Sequence, residues 1–515
     1  MATDTTTTPV RKLIKDFNAA RRVSTPIIGV QTPDAAATID NLTKAANGDT
    51  PVLAHDLCRG IVGVNELGKR VAQQNSIDPV TTTNPVEALS AILRLPSKSV
   101  VFFHNAHLLI KDATTGAPNL AVVQAIWNTR DEFKMNSRML VLLAPSLRLT
   151  PELENDVVVF DEPLPTADEM RQIILMQHKN AGLPAPTDAV LQQAIDATTG
   201  LAEFTAEQIV AMSLTKNGID VDNLWDRKRV AIAQTKGLSV YDGKEQFTDV
   251  GGCENVKAFV QRKLDGREPP RGIVFIDEIE KAMSGIGAGG GPGDSSGTSQ
   301  DQLGTLLKFM QDKNADGMMF IGHPGSAKSM IAKATGNTAG IPTIEFDLGA
   351  MKGSLVGQSE DQIRNALKVV EAVTQGRALF IATCNQIGAL PPELRRRFRK
   401  GTFFFDLPTQ VERARIWAIY LKKYQIAKQA LPADEGWTGA EIATCCHNAW
   451  EMNMTLVEAA DYIVPIARAA KDKVEGLCNM ADGKFISAAY PGTYTKTRTA
   501  QENKPLKGTR AITVQ

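Results

Sequence analysis

The run Gly322-His323-Pro324-Gly325-Ser326-Ala327-Lys328-Ser329 carries the most specific chemistry in this chain. Glycines at 322 and 325 let the backbone curl so that successive N–H groups point inward, a cradle for phosphate oxygens beside a helix N-terminus. Lys328 is spaced to reach the β- and γ-phosphates of a nucleotide, and the Ser329 hydroxyl to ligate Mg²⁺. Such a loop needs a strand before it and a helix after it. Met318–Ile321 is apolar and strand-like, and the segment from Ser329 reads as a helix. A glycine usually precedes the lysine, where this chain has Ala327. Alanine accepts helical backbone angles, so the loop is expected to survive with less slack.

Three further groups share this neighbourhood in sequence. Asp277-Glu278 closes the apolar run Ile273–Ile276; two acids at the end of a buried strand are costly to desolvate and usually serve a metal or a reaction. Asp277 would hold Mg²⁺ through water and Glu278 would polarise an attacking water. Asn385 ends the run Phe380-Ile-Ala-Thr-Cys-Asn and could orient that water or touch the γ-phosphate, although an ordinary turn residue fits it equally well. The basic run Arg395-Arg396-Arg397-Phe398-Arg399-Lys400 allows three readings: arginine fingers acting on a neighbouring subunit's nucleotide, a solvated surface, or a nucleic-acid patch.

Apolar runs of four to six residues alternate with helix-periodic segments, the pattern of α/β architecture with parallel sheets. Candidate strands are 26–30, 51–54, 99–103, 139–143 and 157–160 in the first half. The second half offers 273–276, 318–321, 343–346, 378–382 and 402–405. Residues 217–250 are polar and read as a helix plus linker. Gly285–Gly297 (GIGAGGGPGDSSG) reads as a flexible loop, and the tail, Thr/Lys/Gly-rich from about Pro491, as disorder. The halves echo each other: Pro51-Val-Leu-Ala-His-Asp-Leu parallels Pro342-Thr-Ile-Glu-Phe-Asp-Leu, and Val101-Phe-Phe-His-Asn parallels Val274-Phe-Ile-Asp-Glu. The chain reads as two copies of one α/β unit with a helical lid.

At 515 residues the chain needs several domains. Lys+Arg and Asp+Glu are balanced at 57 each, so no global field recruits nucleic acid or an anionic membrane. The N-terminal Thr-rich run lacks a secretory apolar segment, and no run approaches a membrane span, so a soluble protein is expected. The six cysteines show no C-x-x-C spacing and read as reduced structural thiols, ahead of a metal or disulfide role, in a reducing compartment such as the cytoplasm.

Residues 249–475 resemble an AAA+ ATPase of the group that opens with Asp249-Val250-Gly251-Gly252 and carries a Gly436-Trp-Thr-Gly-Ala-Glu-Ile442 lid helix. The whole chain is similar to the plastid- and cyanobacterium-encoded conserved-reading-frame AAA ATPases, which join a degraded AAA-like half to an active one. The resemblance implies a P-loop AAA+ parallel sheet with a helical lid, preceded by a degenerate AAA-like α/β domain. The expected segments are 1–165 (degenerate domain), 166–248 (helical, lid-like, with linker), 249–408 (nucleotide-binding), 409–475 (lid) and 476–515 (largely disordered tail). It further implies ATP and Mg²⁺ bound between subunits of a homo-oligomeric ring, usually a hexamer. Gly251, Gly252, Gly439 and Ala440 would then surround the base. Ile27-Ile-Gly-Val-Gln-Thr-Pro-Asp-Ala-Ala has no lysine, and His104-Asn105 stands where the acids belong. The first half is therefore expected to scaffold or recruit without hydrolysing ATP.

One departure sets this chain apart. The acid pair at 277–278 precedes the phosphate loop, whereas such modules run loop, acids, asparagine. If the strands keep their family positions in the sheet, with the loop strand beside the asparagine strand and the acid strand next, Asp277 still meets Ser329 and Lys328. Met351-Lys-Gly-Ser-Leu355-Val-Gly357 occupies the place of a substrate-gripping pore loop, with aliphatic Leu355 where protein-threading relatives carry an aromatic. The leading expectation is an ATPase that remodels a protein partner. A nucleotide-regulated scaffold with little turnover is the alternative, and a nucleic-acid motor is disfavoured by the zero net charge.

Overall fold

The computed structural model describes residues 12–46, 48–111, 117–282, 298–351, 358–386, 388 and 392–498. The Gly-rich 285–297 segment and the pore-loop residue Leu355 lie outside them. The chain divides into two compact units, residues 1–196 with 201–220, and 197–200 with 221–515. Among the described residues no helix is long and apolar enough to cross a membrane.

The first unit holds β1 (Ile27–Gln31), β2 (Val52–Asp56), β3 (Gly60–Gly63), β4 (Val100–Phe103), β5 (Met139–Ala144) and β6 (Val158–Asp161) in one sheet of order β3-β2-β4-β5-β1-β6. All pairings are parallel except the β2–β3 edge. Successive side chains of a strand point to opposite faces, and the apolar runs divide accordingly. Ile27, Leu53, Val101, Phe103, Leu140 and Leu142 fill one core, while Ile28, Val30, Val52, Ala54, Val100, Phe102 and Val141 fill the other. A short hairpin, β7 (Leu214–Thr215) and β8 (Gly218–Ile219), closes this unit.

The second unit holds β9 (Leu238–Val240), β10 (Gly272–Ile276), β11 (Asp316–Gly322), β12 (Thr343–Phe346), β13 (Ala378–Cys384), β14 (Thr402–Phe405) and β15 (Ile486–Ser487), ordered β15-β14-β11-β13-β10-β12-β9. Without β15 this is the first sheet again: β14, β11, β13, β10, β12 and β9 take the places of β6, β1, β5, β4, β2 and β3. Even the antiparallel edge recurs, β9 on β12 as β3 on β2. The chain reaches these places in a different order, with the acid strand β10 ahead of the loop strand β11. The two faces again divide by alternation, Ile273, Phe275, Met318 and Phe320 against Val274, Ile276, Met319 and Ile321.

Two expectations change. The helix Val221–Ala233 and β9 fall in the 217–250 stretch read as helix and linker, yet both join the second unit, where Ile232 and Leu238 are buried in its core. The tail expected from 476 is structured as far as it is described, to 498. The helix Lys471–Ala481 buries Leu477, Cys478 and Ala481, β15 pairs with β14, and the Tyr494 ring packs 4.5 Å from Phe404. Polar composition hid a few well-placed apolar anchors.

Candidate active site

β10, β11 and β13 are adjacent and parallel, in register Ile276↔Ala382 and Ile321↔Cys384, so their C-terminal ends open on one edge of the sheet. Ligand sites of open α/β sheets form at that edge. The acid pair, the phosphate loop and Asn385 each begin where one of these strands stops. A cavity of about 440 Å³ lies there, lined by Asp277, Glu278, Pro324–Ser329, Thr383 and Asn385 on one side. Asp249, Val250, Gly251, Ile416, Tyr420, Gly439, Ala440 and Ala443 line the other.

The Ser329 hydroxyl donates to Asp277 Oδ1 at 2.8 Å, and the Thr383 hydroxyl donates to the same oxygen at 2.5 Å. Thr383 also accepts the Glu278 N–H at 2.9 Å. Asn385 Nδ2 donates to Glu278 Oε1 at 3.0 Å and its N–H to Glu280 Oε1 at 2.9 Å, while Asn385 Oδ1 is buried with no hydrogen-bond partner among the described residues. Lys281 forms an ion pair with Glu278. The changed strand order thus leaves Asp277 in contact with Ser329 and Glu278 with Asn385. Thr383 and Glu280 were not singled out in the sequence. A hydroxyl two residues before Asn385 on the same strand was the available signal for Thr383.

Lys328 is buried, and burial lowers its ammonium to about 8. It donates to the carbonyls of Gly322 at 3.0 Å and His323 at 2.6 Å, closing the loop on itself. Gly322 and Gly325 are required by space. A Cβ on Gly322 would lie 2.2 Å from the Phe405 carbonyl oxygen, and one on Gly325, at φ 76°, would lie 2.9 Å from Thr438 Oγ1 on the lid. Ala327 departs from expectation. It sits at φ 67°, ψ 12°, the left-handed region, not in helical backbone. A residue with a Cβ pays about 1–2 kcal/mol there, because the turn into the helix Lys328–Ala339 needs glycine-like angles.

The lid side is set by a capping box. Thr438 accepts the Glu441 N–H, Glu441 accepts the Thr438 N–H, and the helix Gly439–Glu451 starts at the cavity wall. The Ala440 N–H donates to the Gly325 carbonyl at 3.3 Å. Of the residues expected around the base, Gly251, Gly439 and Ala440 line the cavity. Gly252 does not; it faces the Glu412 side chain. His323 turns its ring away from the cavity into the core. Arg396 and Arg397 are not among the cavity-lining residues: Arg396 is exposed, and Arg397 Nη2 donates to Gln311 Oε1 at 2.5 Å.

Residues 13–162 match the family of SpoVK-like AAA ATPase N-terminal domains, and residues 318–375 match the AAA family, ATPases associated with various cellular activities. Both halves of the chain thus carry stretches similar to AAA ATPase domains. Among similar proteins, three are each described as an uncharacterized AAA domain-containing protein ycf46. That of Guillardia theta is 21% identical over 468 residues, 79% of this chain and 84% of the relative. That of Gracilaria tenuistipitata var. liui is 25% identical over 391 residues, 66% and 70% of the two chains. That of Pyropia yezoensis is 23% identical over 468 residues, 79% and 86%. The AAA match begins inside β11 and stops before β13, so the acid pair that follows β10 lies outside it.

Proposed function

We propose that the cavity at 322–329 binds ATP with Mg²⁺ and hydrolyses it, and that turnover remodels a protein partner or complex. The observation that carries this reading is the meeting of Ser329, Asp277, Glu278 and Asn385, from three strands, beside Lys328. Ser329 Oγ and Asp277 Oδ1 are hydroxyl and carboxylate oxygens 2.8 Å apart, donors suited to a hard cation, and they fit Mg²⁺. Such a cation would shield phosphate charge. Lys328 would exchange its loop carbonyls for phosphate oxygens, and Glu278 would take the proton of a water whose other contact is the unpartnered Asn385 Oδ1. Val250, Ile416, Tyr420 and Ala443 offer the base an apolar slot.

Similarity to AAA ATPases supports oligomerisation, and we place the exposed Arg396 and neighbouring Arg397 against the cavity of the next subunit in a ring, with the first unit as scaffold or recruitment domain. Reduced cysteines fit a reducing compartment such as the cytoplasm or a stroma. A second reading has a specific observation behind it. Glu278 is held by both Asn385 and Lys281, an arrangement suited to a nucleotide-regulated scaffold with little turnover. Phosphate release by the purified chain separates the two. Enzyme predicts turnover that Glu278→Gln removes while nucleotide binding stays; equal release by both proteins would remove Glu278 from its role. Affinity capture with Glu278→Gln in ATP then identifies the partner.

A further inference from the structure

Behind the phosphate loop lies a second set of donors that nucleotide chemistry does not use. His323, buried, points its imidazole toward the end of β14 and the helix Lys471–Ala481. Its Nε2 is 3.6 Å from Asp406 Oδ1 and 3.6 Å from Cys478 Sγ, and Cys478 Sγ is 3.5 Å from Asp406 Oδ1. Among the described residues this is the group of three whose donor atoms all converge closely enough to share an ion.

The Cys478 thiol is within hydrogen-bonding range of both partners, so its contacts fit a hydrogen-bonded cluster as well as a shared ion, and it is the His323–Asp406 spacing that favours the ion. At 3.6 Å an imidazole N–H and a carboxylate oxygen are too far apart for a hydrogen bond. The same spacing is the edge of a coordination tetrahedron. With Zn–S about 2.3 Å, Zn–N about 2.05 Å and Zn–O about 2.0 Å, tetrahedral angles put the donors about 3.3–3.6 Å apart. Asp406 is also oriented as a ligand should be. Its Oδ2 accepts from the Tyr494 hydroxyl at 2.8 Å and its Oδ1 from the Leu407 N–H at 2.8 Å, the kind of outer support that fixes a ligating carboxylate.

We propose that His323, Asp406 and Cys478 bind one Zn²⁺, with water in the fourth position. Cys478 ligates as thiolate and its proton leaves to solvent as the ion enters. Imidazole and thiolate select Zn²⁺ over Mg²⁺, so this site is chemically separate from the Ser329–Asp277 pair. Its place has a consequence for the loop: the residue that ligates through its ring also accepts Lys328 Nζ on its carbonyl at 2.6 Å. The ion therefore ties the phosphate loop to β14 and to the C-terminal helix.

The test uses the full chain, reduced, with ADP and Mg²⁺ saturating the nucleotide cavity, titrated with Zn²⁺ and with Co²⁺ as the spectroscopic probe. The expected result is one tightly held equivalent of Zn²⁺. Co²⁺ should give a thiolate-to-metal charge-transfer band with intense tetrahedral visible bands. Cys478→Ala should lose that band and Cys445→Ala should keep it. Asp406→Asn, which preserves side-chain size, carries the same expectation of loss if Cys478→Ala fails to fold. No stoichiometric uptake by the wild type, a Co²⁺ spectrum without the thiolate band, or a band that persists in Cys478→Ala each overturns the proposal.

Discussion

Glu278 and Asn105 hold the same left-handed backbone, φ 45° and 51°, at the same step of two sheets, each two residues past its strand, β10 and β4. Asparagine is at home in that region and glutamate is not. The turn is a property of the shared fold, and the second unit keeps the costlier residue there, where the proposed chemistry needs a carboxylate. Glu278→Gln keeps backbone and shape, so stability is expected to hold while phosphate release falls about 100-fold or more. Glu278→Asn and Glu278→Ala lose the same contacts, so the asparagine variant is expected to be the more stable by about 0.5–1 kcal/mol in denaturant titrations. Equal midpoints for those two would contradict the backbone argument.

Ala327 makes the same point with the opposite sign. Ala327→Gly relieves the left-handed cost of about 1–2 kcal/mol and returns part of it as chain entropy in the unfolded state, for a net gain of about 0.5–1 kcal/mol. Thermal unfolding of the nucleotide-free protein reads the gain. A lower midpoint for the glycine variant would show that the angles at 327 are not strained.

Lys328 predicts a pH dependence. Burial lowers it to about 8 from an unfolded value near 10.5, so between these values the unfolded chain binds more protons and nucleotide-free stability rises with pH. Nucleotide affinity runs the other way. Phosphate needs the ammonium form, so binding is expected to be level below pH 8 and to weaken by up to about tenfold per unit above it. Calorimetry in buffers of different ionisation enthalpy would show proton uptake on binding at pH 9. Affinity independent of pH from 7 to 10 would separate Lys328 from the phosphates.

Asp277 Oδ1 accepts from both Ser329 and Thr383, and an amide oxygen can accept both as well. Asp277→Asn is therefore expected to fold normally and lose only charge. The tightening of ADP or ATP binding by Mg²⁺ should shrink by about tenfold, the loss of about 1.4 kcal/mol, with no weakening of Mg²⁺-free binding. A Mg²⁺ response equal to the wild type would remove Asp277 from the metal.

Much of this was legible in residue types. The principal strands of both sheets announce themselves as apolar runs because each is buried on two faces. Strand order around the site was also readable, because the resemblance supplies family positions for the loop, asparagine and acid strands, and these are the positions observed. What escaped were elements without periodicity. β9 and β15 are three and two residues long, too short for alternation to show, and their places are fixed by open sheet edges. The inward turn of His323 and the placing of Gly252 against Glu412 depend on neighbours distant in sequence. No local pattern encodes them.

The reordered connectivity also bears on how the chain is made. Both ladder partners of β10, β12 and β13, lie downstream of it, whereas β4 in the first unit follows its neighbour β2. Gly272–Ile276, buried along its whole length in the finished sheet, leaves the ribosome with two unpaired edges, one open until synthesis has passed residue 346 and the other until it has passed residue 384. Exposed apolar strands of this kind invite wrong pairing between nascent chains. Moving the acid strand forward spares the site but lengthens the interval in which the newborn protein depends on shielding by other factors.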